Sequence, residues 1–171
     1  VEDTEGVLGA LERGGIPTAE ITFRTACAAE AIKYASEHFP EMIVGAGTVV
    51  NVRQAEQAVY AGAEFIVGPG WSDSVAEFCE ASSVPYLPGC VTPTEIIRAL
   101  DKGINIVKFF PASVYGGLKA IKALDYILAL HVEHKKYLGR VVEVLCKLIR
   151  LATLVQRVAA VAAVLKLNVH Q

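Results

Sequence analysis

The chain has 171 residues, 53% of them hydrophobic, which is enough for one domain with a substantial apolar core. Its formal net charge is −2, and neither a basic run nor an acidic tail appears, so the electrostatic footprint of a nucleic-acid binder is excluded. The four cysteines, Cys27, Cys79, Cys90 and Cys146, are scattered without a CxxC pair, which fits reduced thiols in a cytoplasmic protein better than a disulfide framework. The start, Val1-Glu2-Asp3-Thr4-Glu5, is acidic and polar, unlike a secretory leader. The longest apolar run, Val158 to Leu165, falls short of the ~20 residues that span a bilayer, so a soluble protein without membrane contact is expected.

In chain order, residues 3 to 13 read as a helix opened by Asp3 or Thr4, with Val7, Leu8 and Leu11 on one face and Gly14-Gly15 ending it. A strand at Ala19 to Phe23 leads to a helix over Ala26 to His38, stopped by Phe39-Pro40. Strand Met42 to Ala46 ends in Gly47-Thr48, and a helix from Val52 to Ala61 is closed by Gly62. The unit repeats with strand Glu64 to Val67, turn Gly68-Pro69-Gly70 and helix Ser72 to Ala81. It repeats again with strand Pro85 to Leu87, turn Pro88-Gly89 and helix Thr92 to Lys102. A fifth strand, Asn105 to Phe110, precedes Gly116-Gly117, which opens another helix. Strict alternation with short loops predicts an α/β fold, with a parallel sheet covered by helices. In such folds ligands bind at the C-terminal ends of the strands.

The character changes after Leu124. Residues 125–171 show no convincing strand, so an all-helical segment is expected there, with one helix over Tyr126 to Leu138 and another over Arg140 to about Leu167. Arg140, Glu143, Lys147, Arg150 and Arg157 form a narrow polar stripe on the second, whose apolar remainder must be buried in its own domain or against another chain. Two regions follow: 1–124, the α/β part, and 125–171, a segment for packing or oligomerisation.

The residue on which the chemistry turns is Lys108. If Ile104, Ile106, Lys108 and Phe110 share a strand face, the ammonium sits among apolar side chains, and desolvation favours the neutral, nucleophilic amine. The alternative is a lysine that snorkels out of an edge strand. Glu20, Thr22 and Arg24 alternate onto one face of the first strand, where an acid and a cation could serve chemistry or simply form a surface ion pair. Thr48, after Gly45-Ala46-Gly47, offers a hydroxyl and a backbone N–H near a helix start, suited to a carboxylate or phosphate. This is not a GxGxxG nucleotide loop. His131 and His134 lie three apart on a predicted helix without a third ligand, so a solvated face is favoured over a metal.

Five segments in order resemble the 2-keto-3-deoxy-6-phosphogluconate and 4-hydroxy-2-oxoglutarate aldolase family. They are Gly14-Gly15-Ile16 through Glu20-Ile21-Thr22-Phe23-Arg24-Thr25; Ile43-Val44-Gly45-Ala46-Gly47-Thr48-Val49; Ala61 through Gly70; Pro88-Gly89-Cys90-Val91-Thr92-Pro93-Thr94-Glu95; and Val107-Lys108-Phe109-Phe110-Pro111-Ala112 with Gly116-Gly117. The resemblance implies a class I lyase on a (β/α)8 TIM barrel, usually a trimer, acting on pyruvate-like keto acids without metal or cofactor. By matching position it makes Lys108 the Schiff-base lysine and Glu20 the general acid/base. It gives Arg24 and Thr48 the carboxylate of the pyruvyl moiety, with Pro69 and Phe110 lining the pocket.

The chain also departs from that pattern. Five of eight barrel strands are recognisable, the family's first strand would precede Val1, and the Thr-Gly-Gly loop and serine that grip the substrate phosphate have no counterpart. The expected fold is therefore an incomplete barrel whose open edges the C-terminal segment, or a partner chain, must cover. Two functions are carried forward. One is a Schiff-base aldolase, impaired toward phosphorylated substrates. The other is a non-catalytic, rearranged or engineered scaffold that self-assembles through its C-terminal helices.

Overall fold

A computed structural model describes residues 2–129 and 163–166. Within it the chain divides into two compact units, Val1–Pro88 and Gly89–Gln171. In the first unit, short strands and capped helices alternate: α1 Glu2–Arg13, β1 Thr18–Thr22, α2 Ala28–His38, β2 Ile43–Gly47, α3 Val52–Tyr60, β3 Phe65–Val67, α4 Asp73–Ala81 and β4 Tyr86–Leu87. Helices α3 and α4 start where the sequence supplies caps. The Asn51 carboxamide accepts from the Gln54 N–H (3.0 Å) to open α3, and the Ser72 hydroxyl accepts from the Val75 N–H (3.4 Å) to open α4. The four strands form one sheet in the order β1-β2-β3-β4, and every pair is parallel.

Period-two alternation gives this sheet two different faces. Ala19, Val44, Ala46 and Ile66 are buried on one, and the helices bring Ile32, Ala35, Ala55, Ala58 and Val75 into the core. Small alanines let the layers approach closely. The other face carries Glu20, Thr22, Gly45, Gly47 and Phe65, because the register places Glu20 beside Gly45, Thr22 beside Gly47 and Gly45 beside Phe65. Polar and glycine positions therefore share one face of the sheet.

The second unit contains α5 Pro93–Asp101, β5 Ile106–Phe109, α6 Gly117–Ala129 and β6 Ala163–Lys166. Among the described residues Cys90, Ile96, Ala99, Val107, Phe109, Ile121 and Leu124 are buried in it. The parallel-sheet α/β architecture expected from the alternation is present, and β1 to β5 are the five strands read from the sequence. α6 runs unbroken across position 124, where the sequence suggests a boundary.

One expectation fails. Ala163–Lys166, assigned above to the end of a long helix, is a strand that pairs antiparallel with β5, in the register Ile106↔Lys166, Val107↔Leu165, Lys108↔Val164 and Phe109↔Ala163. A short Ala/Val/Leu run satisfies either periodicity, and here the unpaired N–H and C=O groups along β5 decide the outcome. The rest of the expected Tyr126–Leu138 helix beyond Ala129, His131, His134 and the Arg140–Arg157 stripe lie outside the described residues. Among the described residues no helix is long and apolar enough to cross a membrane.

Candidate active site

Glu20, Arg24, Thr48 and Pro69 belong to the first unit; Lys108 and Phe110 belong to the second. In the first unit the Gly45-Ala46-Gly47 spacing cuts two notches in the Glu20 face of β2, under the Glu20 and Phe65 side chains. A methyl on Gly47 would collide with the Glu20 carboxylate, and one on Gly45 would collide with the Phe65 ring. The Glu20 side chain thus lies across Gly47, directly before Thr48, a juxtaposition that the sequence reading did not contain.

Thr48 has φ 58°, a left-handed conformation that a β-branched residue rarely adopts. Neighbouring hydrogen bonds hold it there: Phe23 N–H to Gly47 C=O (2.7 Å) before it, Val49 N–H to Val67 C=O (3.1 Å) after it, and Val50 N–H to Gln54 Oε1 (2.9 Å) into α3. Strain of this kind costs on the order of 1–3 kcal/mol and is found where a side chain must be aimed. Its amino-acid identity gave no sign of it.

Arg24 is exposed on the turn after β1, where its N–H reaches the Thr22 carbonyl (2.8 Å). Among the described residues Glu20 and Arg24 form no ion pair with each other. Pro69 is exposed on a turn fastened from β4. The Tyr86 hydroxyl donates to the Gly70 carbonyl (3.2 Å), and Trp71 lies tilted against the Tyr86 ring (6.3 Å) while its indole N–H donates to Asp73 (2.9 Å). Tyr86 escaped notice in the sequence because its role is set by a partner sixteen residues away.

In the second unit Lys108 is 9% exposed and is the one buried charged side chain among the described residues. The snorkelling alternative therefore fails. Its Nζ stands 4.6 Å from the centroid of the Phe110 ring, a cation–π contact that joins two of the expected residues. On either side of it along β5, Val107 and Phe109 are fully buried. The Lys108 carbonyl accepts from the Cys90 N–H (2.9 Å), and Gly89 forms a parallel bridge with Lys108.

The turn that makes these contacts is itself tied down. Glu95 Oε2 accepts from the Val91 N–H (2.9 Å), the Thr92 N–H (2.9 Å) and the Thr92 hydroxyl (2.8 Å). Partial burial pushes the Glu95 carboxyl up, but the bonds from Val91 and Thr92 outweigh it and hold the group below the usual carboxylate range. Cys90 is fully buried and its thiol donates to the Glu95 carbonyl (3.7 Å); burial, with a smaller push from the Glu95 charge, raises it to about 12. Among the described residues no group of three His, Cys, Asp or Glu side chains is placed to hold a metal ion.

Against known proteins, the family model described as "Aldolase: KDPG and KHG aldolase" matches residues 1–129. The 2-dehydro-3-deoxy-phosphogluconate aldolase of Treponema pallidum (strain Nichols) is 48% identical over 124 residues, covering 72% of this chain and 59% of the relative. The KHG/KDPG aldolase of Escherichia coli (strain K12) is 40% identical over 115 residues, covering 67% of this chain and 54% of the relative. The chain therefore spans little more than half the length of the curated relatives it matches. Among solved structures, a KDPG aldolase from Legionella pneumophila, with pyruvate captured at low pH as a covalent carbinolamine intermediate, superposes with a TM-score of 0.71 at 36% identity. That match covers 74% of this chain and 61% of the other.

Proposed function

The chain belongs to the KDPG and KHG aldolase family, and we propose that it is a class I aldolase that releases pyruvate from a 2-keto-4-hydroxy acid through a Schiff base on Lys108. The observation that carries this reading is the burial of Lys108, the one charged side chain so treated among the described residues. A carbinolamine is what an amine forms on adding to a ketone, and the Legionella structure holds one made from pyruvate.

On this reading the Lys108 amine adds to the C2 ketone, and loss of water gives an iminium that withdraws electrons from the C3–C4 bond. That bond breaks as the C4 hydroxyl gives up its proton, releasing an aldehyde and leaving an enamine. Protonation at C3 and hydrolysis free pyruvate and the amine. Glu20 takes the hydroxyl proton and returns one to C3. Arg24 offers a planar fork to the substrate carboxylate and Thr48 a hydroxyl, and Pro69 and Phe110 keep the substrate-binding roles that the family resemblance gives them. The free thiols of Cys27, Cys79 and Cys90 support a reducing, cytoplasmic setting. Exposed Val114, Tyr115 and Leu118 support assembly with further copies of the chain, which light scattering would read as a mass above that of a monomer.

Incubation with pyruvate and borohydride, followed by intact mass, tests the chemistry. One reduced pyruvyl adduct is expected on the wild type and none on Lys108→Ala. No adduct on the wild type, or an adduct that persists in the variant, would end the proposal.

A second reading is the non-catalytic scaffold, and β6 is the observation that favours it. A barrel of the family's type has parallel strands throughout, whereas the neighbour of β5 here runs antiparallel. An inert wild type in the trapping experiment would select this reading.

A further inference from the structure

Glu95 does more than begin a helix. In a capping box the glutamate returns one hydrogen bond, to the N–H of the cap residue. The box is present here, with Thr92 as cap, but the same carboxylate oxygen also takes the Val91 N–H, one residue outside the helix. The Glu95 carbonyl takes the Cys90 thiol, two residues outside. Thus one side chain and its backbone hold three successive residues of the Gly89–Thr92 turn. The far end of that turn is bonded to the Lys108 backbone, by the Cys90 N–H and by the Gly89 bridge.

We propose that Glu95 is a positioning residue for Lys108, acting through the Gly89–Thr92 turn that its carboxylate ties to the start of α5. The inference rests on the Schiff-base reading for its catalytic consequence, but the mechanical link from Glu95 to the Lys108 strand stands on geometry alone. β5 is only four residues long and, among the described residues, has no full-length parallel neighbour in its unit; on that side a bridge residue and one hydrogen bond fix it. Freeing the turn lets the backbone of Lys108 shift, and small misplacement of a nucleophile lowers the rate of attack far more than it weakens substrate binding.

Three variants separate positioning from capping. Gln at 95 keeps an oxygen that accepts from the Val91 and Thr92 N–H groups; Asp is one methylene too short; Ala has no acceptor. In Glu95→Ala and Glu95→Asp, the maximal rate of borohydride trapping with saturating pyruvate is expected to fall by about tenfold, within the about 100-fold that misplacement by about 1 Å can cost. The half-saturating pyruvate concentration should stay within about twofold. Glu95→Gln should recover most of the rate, and hydrogen exchange at the Cys90 amide should quicken in Ala and Asp but not in Gln. If Glu95→Ala does not fold, Asp against Gln decides. A wild-type rate in Asp, a rise in half-saturation without loss of rate, or unchanged exchange at Cys90 would overturn the inference. If the wild type forms no adduct, the aldolase reading fails, and the exchange at Cys90 still decides whether Glu95 holds the Lys108 strand.

Discussion

The two units hold their candidate residues by different means. In the first, Glu20 stands on a strand paired to its neighbour at five consecutive positions, inside a four-stranded parallel sheet, and its side chain rests in a notch made by an absent Cβ. In the second, Lys108 stands on a strand fixed by one bridge residue on one side and by four antiparallel positions on the other, from a segment far along the chain. The lesson is that a sheet ladder shares its load over many bonds, whereas a short strand between a turn and a remote segment depends on each of its few attachments. Substitutions in the second unit should therefore disturb chemistry more per bond lost.

The largest effect is expected at Phe109, fully buried in β5 next to Lys108. Phe109→Ala should cost about 3–5 kcal/mol and expose β5 and α6 amides to exchange. If β1–β4 lose protection in step with them at equal free energy, the contrast between the units is wrong. Next comes β6. The N–H groups of adjacent residues in an antiparallel strand point alternately toward and away from the neighbour, so proline at Val164 or at Leu165 must remove one ladder bond to β5. A cost of about 1–3 kcal/mol and faster exchange at Val107 or Lys108 is expected from the worse of the two. Neither variant changing exchange in β5 would show that the pairing contributes nothing.

Thr48→Gly sharpens the contrast from the other side. It relieves the left-handed strain and should raise the melting free energy by up to about 1 kcal/mol, even after glycine's entropy cost. Half-saturation by pyruvate should rise several-fold if the hydroxyl holds the carboxylate. Unchanged trapping would remove Thr48 from the site.

The smallest effect is on pH dependence. The folded Glu95 carboxyl lies below its unfolded value of about 4.3, so its stabilisation is complete above that pH and is lost as pH falls through the folded value. Glu95→Gln should flatten the acid limb of the denaturation curve, and a limb identical to wild type would refute the assignment.

Much of this was legible in the sequence. Alternation of short apolar runs with capped helices fixes the order of β1 to β5, because strand period, Gly/Pro turns and N-caps all agree locally. Lys108 was legible as a lone charge in an apolar strand, Glu20 through its alternation with Thr22 and Arg24, and Thr48 through the glycines before it. What stayed hidden was non-local. Ala163–Lys166 takes its conformation from β5, not from its own periodicity, and Tyr86 earns its place through Gly70. Glu95 drew no reading of its own because its extra bond to Val91 depends on how the turn before α5 is shaped. Thr48 carried no mark of its φ, since neighbouring hydrogen bonds impose it.

Among the described residues each unit also contains one deeply buried free thiol: Cys79 in the first, 1% exposed and raised by burial to about 11, and Cys90 in the second, 0% exposed and raised to about 12. A thiol so placed is protonated and shielded at neutral pH, so an alkylating reagent reaches it only when its surroundings open. Cys79 and Cys90 thus serve as internal clocks, one timing the opening of the parallel sheet's helical layer and the other timing the turn beside Lys108. Read on the same sample by peptide mass, their relative rates would rank the two attachments without any substitution at all.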